Sequence, residues 1–215
     1  MIAGWLNQGN IIMVEQMPIF GGYTGGLEET AICDVATTLA SFTLLNGSFH
    51  LDGPIHIRWG ITTARETLQV AGHAAAALDA HTDLLLANQY YPIAGPCTEM
   101  CLLETAAQAM LDTASGRELL SGSAASKGVA TDCTTGMEAR IMGEAAIATT
   151  RMRLDDVNEA LDALVKSYEK GYAKAPEGKP FQECYDVKKV LPTKEYLQIF
   201  DEARAKLRDL GIPIS

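Results

Sequence analysis

The chain has 215 residues, 47% of them hydrophobic and 20% charged, with a formal net charge of −10. That length can bury a domain-sized core, and the acidic balance excludes the basic surface that non-specific binding to nucleic acid or anionic membrane requires. No apolar run nears the ~18 residues of a bilayer span, and the start MIAGWLNQGN lacks the build of a signal peptide. The five scattered cysteines suit a reducing compartment better than a disulfide framework, so a cytoplasmic location is expected.

Residues 10–15 (NIIMVE) read as a short buried strand, followed by a Pro- and Gly-punctuated loop at 16–26 (QMPIFGGYTGG). A helix is predicted from Leu27 to Asn46. Glu28 and Glu29 sit in its first turn, against the positive end of the helix dipole, and Gly47 stops it. Residues 48–52 (SFHLD) form a second strand, and the loop GPIHIRWGI leads to a helix beginning at Thr62 or Thr63, with Glu66 placed for a capping box. The Ala-rich run GHAAAALDA in that helix favours close packing. A third strand spans Asp83–Gln89. A third helix covers Cys97–Ser115, ended by Gly116, and Arg117–Ser121 is a fourth strand candidate. The loop GSAASKGVATDCTTG then leads to a helix at Met137–Thr150.

Strand, loop and helix thus alternate about four times over residues 1–150. The strands are short and apolar, as buried parallel strands are, which predicts an α/β fold with a parallel sheet. Residues 151–215 differ: a charged amphipathic helix at Asp155–Ala173, a loop-rich stretch at Pro176–Pro192, and a last helix at Thr193–Leu210 with Thr193 as N-cap. No linker separates these parts, so residues 1–215 are read as a single domain. An eight-stranded barrel takes about 250 residues, so four βα units amount to about half of one. An open sheet of four or five strands fits the same pattern.

Several residues are placed for chemistry. Glu15 ends the first strand and Gln89 the third, and in parallel α/β sheets the carboxyl ends of strands face the ligand. A carboxylate and an amide there can hold a small polar molecule, although rim residues are commonly polar for no such reason. HLDGPIHIRWG gathers His50, Asp52, His56, Arg58 and Trp59, a set suited either to acid–base work or to hydrogen bonds that fix the loop. Cys97 and Cys101 share a helical face but lack the further ligands of a metal site, and read as buried small residues. GGYTGG lacks the ending of a P-loop, and its glycines suit a tight turn. Arg140 and Glu144 form an i, i+4 ion pair, and Glu104 on the preceding helix invites no functional reading by itself. Met1 runs quickly into apolar structure, which fits a truncated start and a natural one equally.

Longer strings are more specific. MVEQMPIFGGYTGGLEET, HLDGPIHIRWG with TARETL, NQYYPIAGPCTEMCLLE, DTASGRELLSG, TTGMEARIMGE and FQECYDV together closely resemble the C-terminal half of the monomethylamine methyltransferase family of methylotrophic methanogenesis, from about Ile2 to Leu210. That resemblance implies a TIM (β/α)8 barrel of which this chain is the C-terminal half, about four βα units plus C-terminal helices. It implies transfer of the methyl group of monomethylamine to the Co(I) of a cognate corrinoid protein, and a homo-oligomer when full length. The family's hallmark is pyrrolysine, encoded by an in-frame amber codon. No residue here corresponds to it, which implies a chain starting downstream of that codon and inactive alone. In the family's proposed mechanism the amine adds to the pyrroline imine carbon and its methyl group then faces the corrinoid. Glu15 and Gln89 match the glutamate and glutamine that flank the ring: Glu15 as proton donor and charge partner, Gln89 as hydrogen-bond partner of the amine. His50, Asp52 and Arg58 are further candidates for lining the same mouth. The implied cofactor, a corrinoid, is carried by the partner protein rather than by this chain. The alternative is a non-catalytic piece that docks on a corrinoid protein or on a full-length barrel.

Overall fold

A computed structural model describes residues 1–214. A short helix α1 (Ile2–Asn7) precedes the first strand β1 (Met13–Gln16). Then follow β2 (Ile19–Phe20), α2 (Leu27–Thr43), β3 (Phe49–Asp52), β4 (Ile55–His56), α3 (Arg65–His81), β5 (Leu86–Tyr90), α4 (Glu99–Ala114) and β6 (Leu119–Ser123). The remainder is α5 (Gly136–Thr149), α6 (Leu154–Tyr168), α7 (Phe181–Cys184), the hairpin β7 (Tyr185–Asp186) and β8 (Leu191–Pro192), and α8 (Lys194–Asp209).

Strands β1, β3, β5 and β6 form one parallel sheet in that spatial order, each joined to the next through a helix. These strands have only four or five residues, and the face covered by the helices supplies most of their burial. The α/β class predicted from the alternation is therefore the observed one. The register aligns Val14, His50 and Leu86 across the sheet, and likewise Glu15, Leu51, Ala87 and Leu119. Because side chains alternate along a strand, these two rows point to opposite faces. Val14, His50, Asp52, Leu86, Asn88 and Tyr90 lie under the helices and are buried. The other face is open only in part: Leu51 and Ala87 at its centre are buried, while Glu15 is exposed and Met13 and Leu85 are nearly half exposed.

Helix α4 is the centre of the packing. Residues 101–110 are all buried, since the helix has the sheet on one side and α5, α6 and α8 on the others. A helix apolar on nearly every side, CLLETAAQAM, is expected to be enclosed in this way. From the C-terminal segment, Tyr196, Phe200, Ala203 and Leu207 present the 3–4 spacing of one α8 face and join the same core as α4. Gly95 lets the segment after α6 approach: its N–H donates to the Pro176 carbonyl at 2.9 Å, and a Cβ there would lie 1.7 Å from the Glu177 carbonyl oxygen.

Some boundaries differ from the sequence-based expectations, for identifiable reasons. Helix α3 starts at Arg65 with Ala64 as N-cap and no capping box. The hydroxyls of Thr62 and Thr63, which would have served it, bond to Gln108 and Glu104 of α4 instead. Cys97 lies before α4 at φ 61°, so it does not share a helical face with Cys101; Thr98 is the N-cap, accepting from the Cys101 N–H. Both cysteines are buried. The fourth strand begins at Leu119 rather than Arg117, whose side chain turns into the core. Thr193 caps α8 as its sequence position indicates, and Arg140 meets Glu144 at 2.8 Å. Among the described residues no helix is long and apolar enough to cross a membrane.

Candidate functional site

The open face of the sheet carries Glu15 and Gln89. Glu15 is exposed near the carboxyl end of β1, and Gln89 is half-buried near the carboxyl end of β5, two residues beyond Ala87 in the Glu15 row. The same strand-end face has a third polar side chain, Tyr91, which directly follows β5 and which the sequence pattern does not distinguish from Tyr90. Burial pushes its phenol upward, and the negative charge of nearby Glu15 adds to the effect. Gly128, at φ 68°, makes room for that ring: a Cβ there would come within 2.6 Å of Tyr91 Cε1. A carboxylate on β1, and a carboxamide and a phenol at the end of β5 with β3 between, give this face groups that can accept and donate hydrogen bonds.

His50 and Asp52 do not belong with them. Both lie on the opposite face, because their positions alternate with Leu51 of the Glu15 row. His50 Nδ1 pairs with Ser41 Oγ of α2 at 3.0 Å, and burial lowers its basicity. Asp52 is locked by Arg117 Nη2 at 2.6 Å and by the Gly53 N–H at 2.6 Å. The expectation that these two line the mouth is corrected accordingly: they fix the sheet to its helices. Arg58 is exposed on the loop after β4, with its guanidinium 4.5 Å from the Trp59 ring centroid. It sits on the rim, and none of its described contacts ties it to Glu15 or Gln89.

Residues 1–212 match the family model for monomethylamine methyltransferase MtmB. The chain belongs to the monomethylamine methyltransferase MtmB family. It is 62% identical over 211 residues to MtmB of Methanosarcina mazei and to MtmB1 of Methanosarcina acetivorans. The crystal structure of Methanosarcina barkeri MtmB superposes with a TM-score of 0.97 at 62% identity, as does a structure of a hydroxylamine MtmB complex. Each of these alignments covers 98% of this chain and 46% of the relative, so the chain spans about half the length of the proteins it matches.

In this MtmB-family chain the strand-end face is supported by a polar stripe along buried α4. Glu104, Gln108 and Asp112 recur every four residues and so share one helical face. Glu104 accepts from the Thr63 hydroxyl and from the N–H groups of Ile93 and Ala94, at 2.6, 3.0 and 3.1 Å, pinning the loop that follows β5. Burial nevertheless pushes its carboxyl up to about 7, with those three donors opposing. Asp112, also buried, rises to about 6 for the same reason, against the pull of Arg117.

These shifts have a definite sign. In the unfolded chain Glu104 ionises near its ordinary 4.5, while in the fold it keeps its proton to about 7. The folded state therefore binds more protons across that window, and stability falls as pH rises from 4.5 to 7. For Glu104 alone the loss is on the order of 3 kcal/mol. Thermal unfolding followed by circular dichroism should give a falling midpoint over this range, with a flatter profile in Glu104→Gln. A profile equally steep in the variant would place the titrating group elsewhere.

Proposed function

We propose that the chain is the C-terminal portion of a methyltransferase that moves the methyl group of monomethylamine to the Co(I) of a corrinoid protein. The observation that carries this reading is membership of the MtmB family, supported by Glu15 and Gln89 lying on the same face of the sheet near the carboxyl ends of β1 and β5. The sheet supports a half barrel: four parallel strands follow one another in chain order without the reversal of a doubly wound sheet, and β1 and β6 form its two edges. Closing such a sheet takes about four more βα units, and the relatives have that much more chain.

On this reading the reacting pyrroline ring belongs to the portion of the relatives outside the match, and this chain supplies one wall of its pocket. The corrinoid is a substrate brought by the partner; it accepts the methyl group as its cobalt provides the electron pair of the new bond, while the amine nitrogen keeps the pair of the broken C–N bond. This chain's part is positioning and charge control. The Glu15 carboxylate pairs with the ammonium or delivers a proton as the amine is taken up. Gln89 accepts from the amine N–H through its amide oxygen. Tyr91, beside Glu15, donates through its phenol. The relative captured with hydroxylamine supports a site sized for a small amine.

The reading is tested by following Co(I) methylation spectrally with monomethylamine and the corrinoid protein. The 215-residue chain alone is expected to give no turnover, and the same chain joined to the upstream portion of a relative, with pyrrolysine incorporated, is expected to turn over. Failure of the joined protein with monomethylamine would sink the function, and turnover by the chain alone would overturn its incompleteness.

A further inference from the structure

Gln89 is proposed above to face the amine, and what aims it follows from a gap in the sheet. The β3–β5 ladder runs with the His50 N–H donating to the Leu85 carbonyl at 3.0 Å. Parallel pairing repeats every two residues along each strand, so position 52 serves residue 87 and position 54 would serve residue 89. Position 54 is Pro54, which has no N–H to give. The Gln89 carbonyl is thus denied its ladder partner at the strand end that bears the candidate site. On the other flank the β5–β6 register shifts between Asn88 and Tyr90, where Gly122 has φ 106°. The Asp52–Asn88 pairing still holds the Gln89 N–H on β3, so it is the Gln89 carbonyl alone that lacks a ladder donor.

Gln108 fills the gap. Its Nε2 donates to the Gln89 carbonyl at 2.9 Å. Its Oε1 accepts from the Thr62 hydroxyl at 2.7 Å, and the Thr62 oxygen in turn accepts the Tyr91 N–H at 2.9 Å. The ring of bonds is self-consistent: Tyr91 uses its proton on Thr62, which leaves the hydroxyl proton free for Gln108 and fixes the orientation of the Gln108 amide. Thr62 and Gln108 are fully buried, so neither is free to bond to water instead.

We propose that Gln108, oriented by Thr62, is a positioning residue that supplies the donor Pro54 withholds and thereby fixes the direction of the Gln89 side chain on the open face. With the Gln89 N–H already paired to β3, holding its carbonyl as well fixes the peptide planes on both sides of Gln89, and with them the Cα–Cβ direction. The catalytic relevance of this clamp rests on the reading of Gln89 given above, but the clamp itself is read without turnover.

The test uses the 215-residue chain and two NMR signals: the exchange rate of the Tyr91 amide and the side-chain amide pair of Gln89. Thr62→Val keeps the volume and removes the hydroxyl; it should speed Tyr91 exchange on the order of tenfold and move and broaden the Gln89 pair. Thr62→Ser should restore both. Gln108→Met should move the Gln89 pair in the same way, and if that variant does not fold, the Thr62 pair decides alone. Unchanged Gln89 signals in Thr62→Val, or equal changes in Thr62→Val and Thr62→Ser, would overturn the proposal. Loss of methyl transfer with the clamp signals intact, or the reverse, separates a failure of the functional reading from a failure of this one.

Discussion

Replacing Arg117 by Met should destabilise the chain by roughly 3–5 kcal/mol at neutral pH, the cost of breaking a buried ion pair from one side. The Arg117 side chain is 2% exposed, and its guanidinium makes three hydrogen bonds. Nη1 donates to the Ala87 carbonyl at 2.8 Å, and Nη2 donates to Asp52 at 2.6 Å and to the Ala71 carbonyl at 3.2 Å. Nε approaches Asp112 at 3.1 Å as an ion contact without hydrogen-bond alignment. One cation thus ties β3, α3, α4 and β5 together. Burial alone would lower its pKa, but the carboxyls of Asp52, Asp112 and Asp34 outweigh that and hold it above its ordinary value.

Without Arg117 three buried carboxyls would share no countercharge. Asp34 is already raised well above the carboxylate range by burial and by Asp52, and neither of its oxygens has a hydrogen-bond partner among the described residues. The variant should therefore recover part of its stability in mild acid, where Asp112, raised by burial to about 6, takes up a proton. Urea midpoints at pH 7 and pH 5 read both effects. Arg117→Lys should fall between, because one ammonium cannot span the same set of acceptors. A loss below about 1 kcal/mol at pH 7, the scale of an exposed pair, would show that the cluster is not the fastening described.

Much of this was legible in the residues. Strand–loop–helix alternation yields the four parallel strands within a few residues, and the strand-end positions of Glu15 and Gln89 identify the polar face. What escaped depends on register and on partners distant in sequence. His50 and Asp52 alternate with Leu51, so their face is settled only once β1 and β3 are aligned. Arg117 reads as the first residue of a strand because nothing local reveals that three aspartates, contributed by α2, β3 and α4, converge on it. The two-residue pair β2–β4 is too short to leave a periodic trace. The Glu104–Gln108–Asp112 stripe, by contrast, was available: polar residues every four positions in an otherwise apolar helix cannot face solvent if the helix is enclosed, and so must face partners. Tyr91 could not be distinguished from the adjacent Tyr90, which is fully buried beneath the helices, without knowing where β5 ends.

The central claim concerns Glu15, the one carboxylate this chain contributes to the proposed amine site. Proton delivery by a positioned side chain contributes about 10²–10⁴-fold to a rate, and Glu15→Gln removes both that proton and the charge while keeping the shape. Gln89→Ala, which removes one hydrogen bond to the amine, should cost less, about tenfold, the equivalent of roughly 1.4 kcal/mol. Glu15 is exposed in this chain, so its replacement should leave the unfolding midpoint unchanged and isolate the chemistry. The decisive measurement is the rate of Co(I) methylation from monomethylamine by the chain joined to the pyrrolysine-bearing portion of a relative, with and without Glu15→Gln. A drop of at least about 100-fold at unchanged stability is the predicted result, and a variant as fast as the parent would contradict the account.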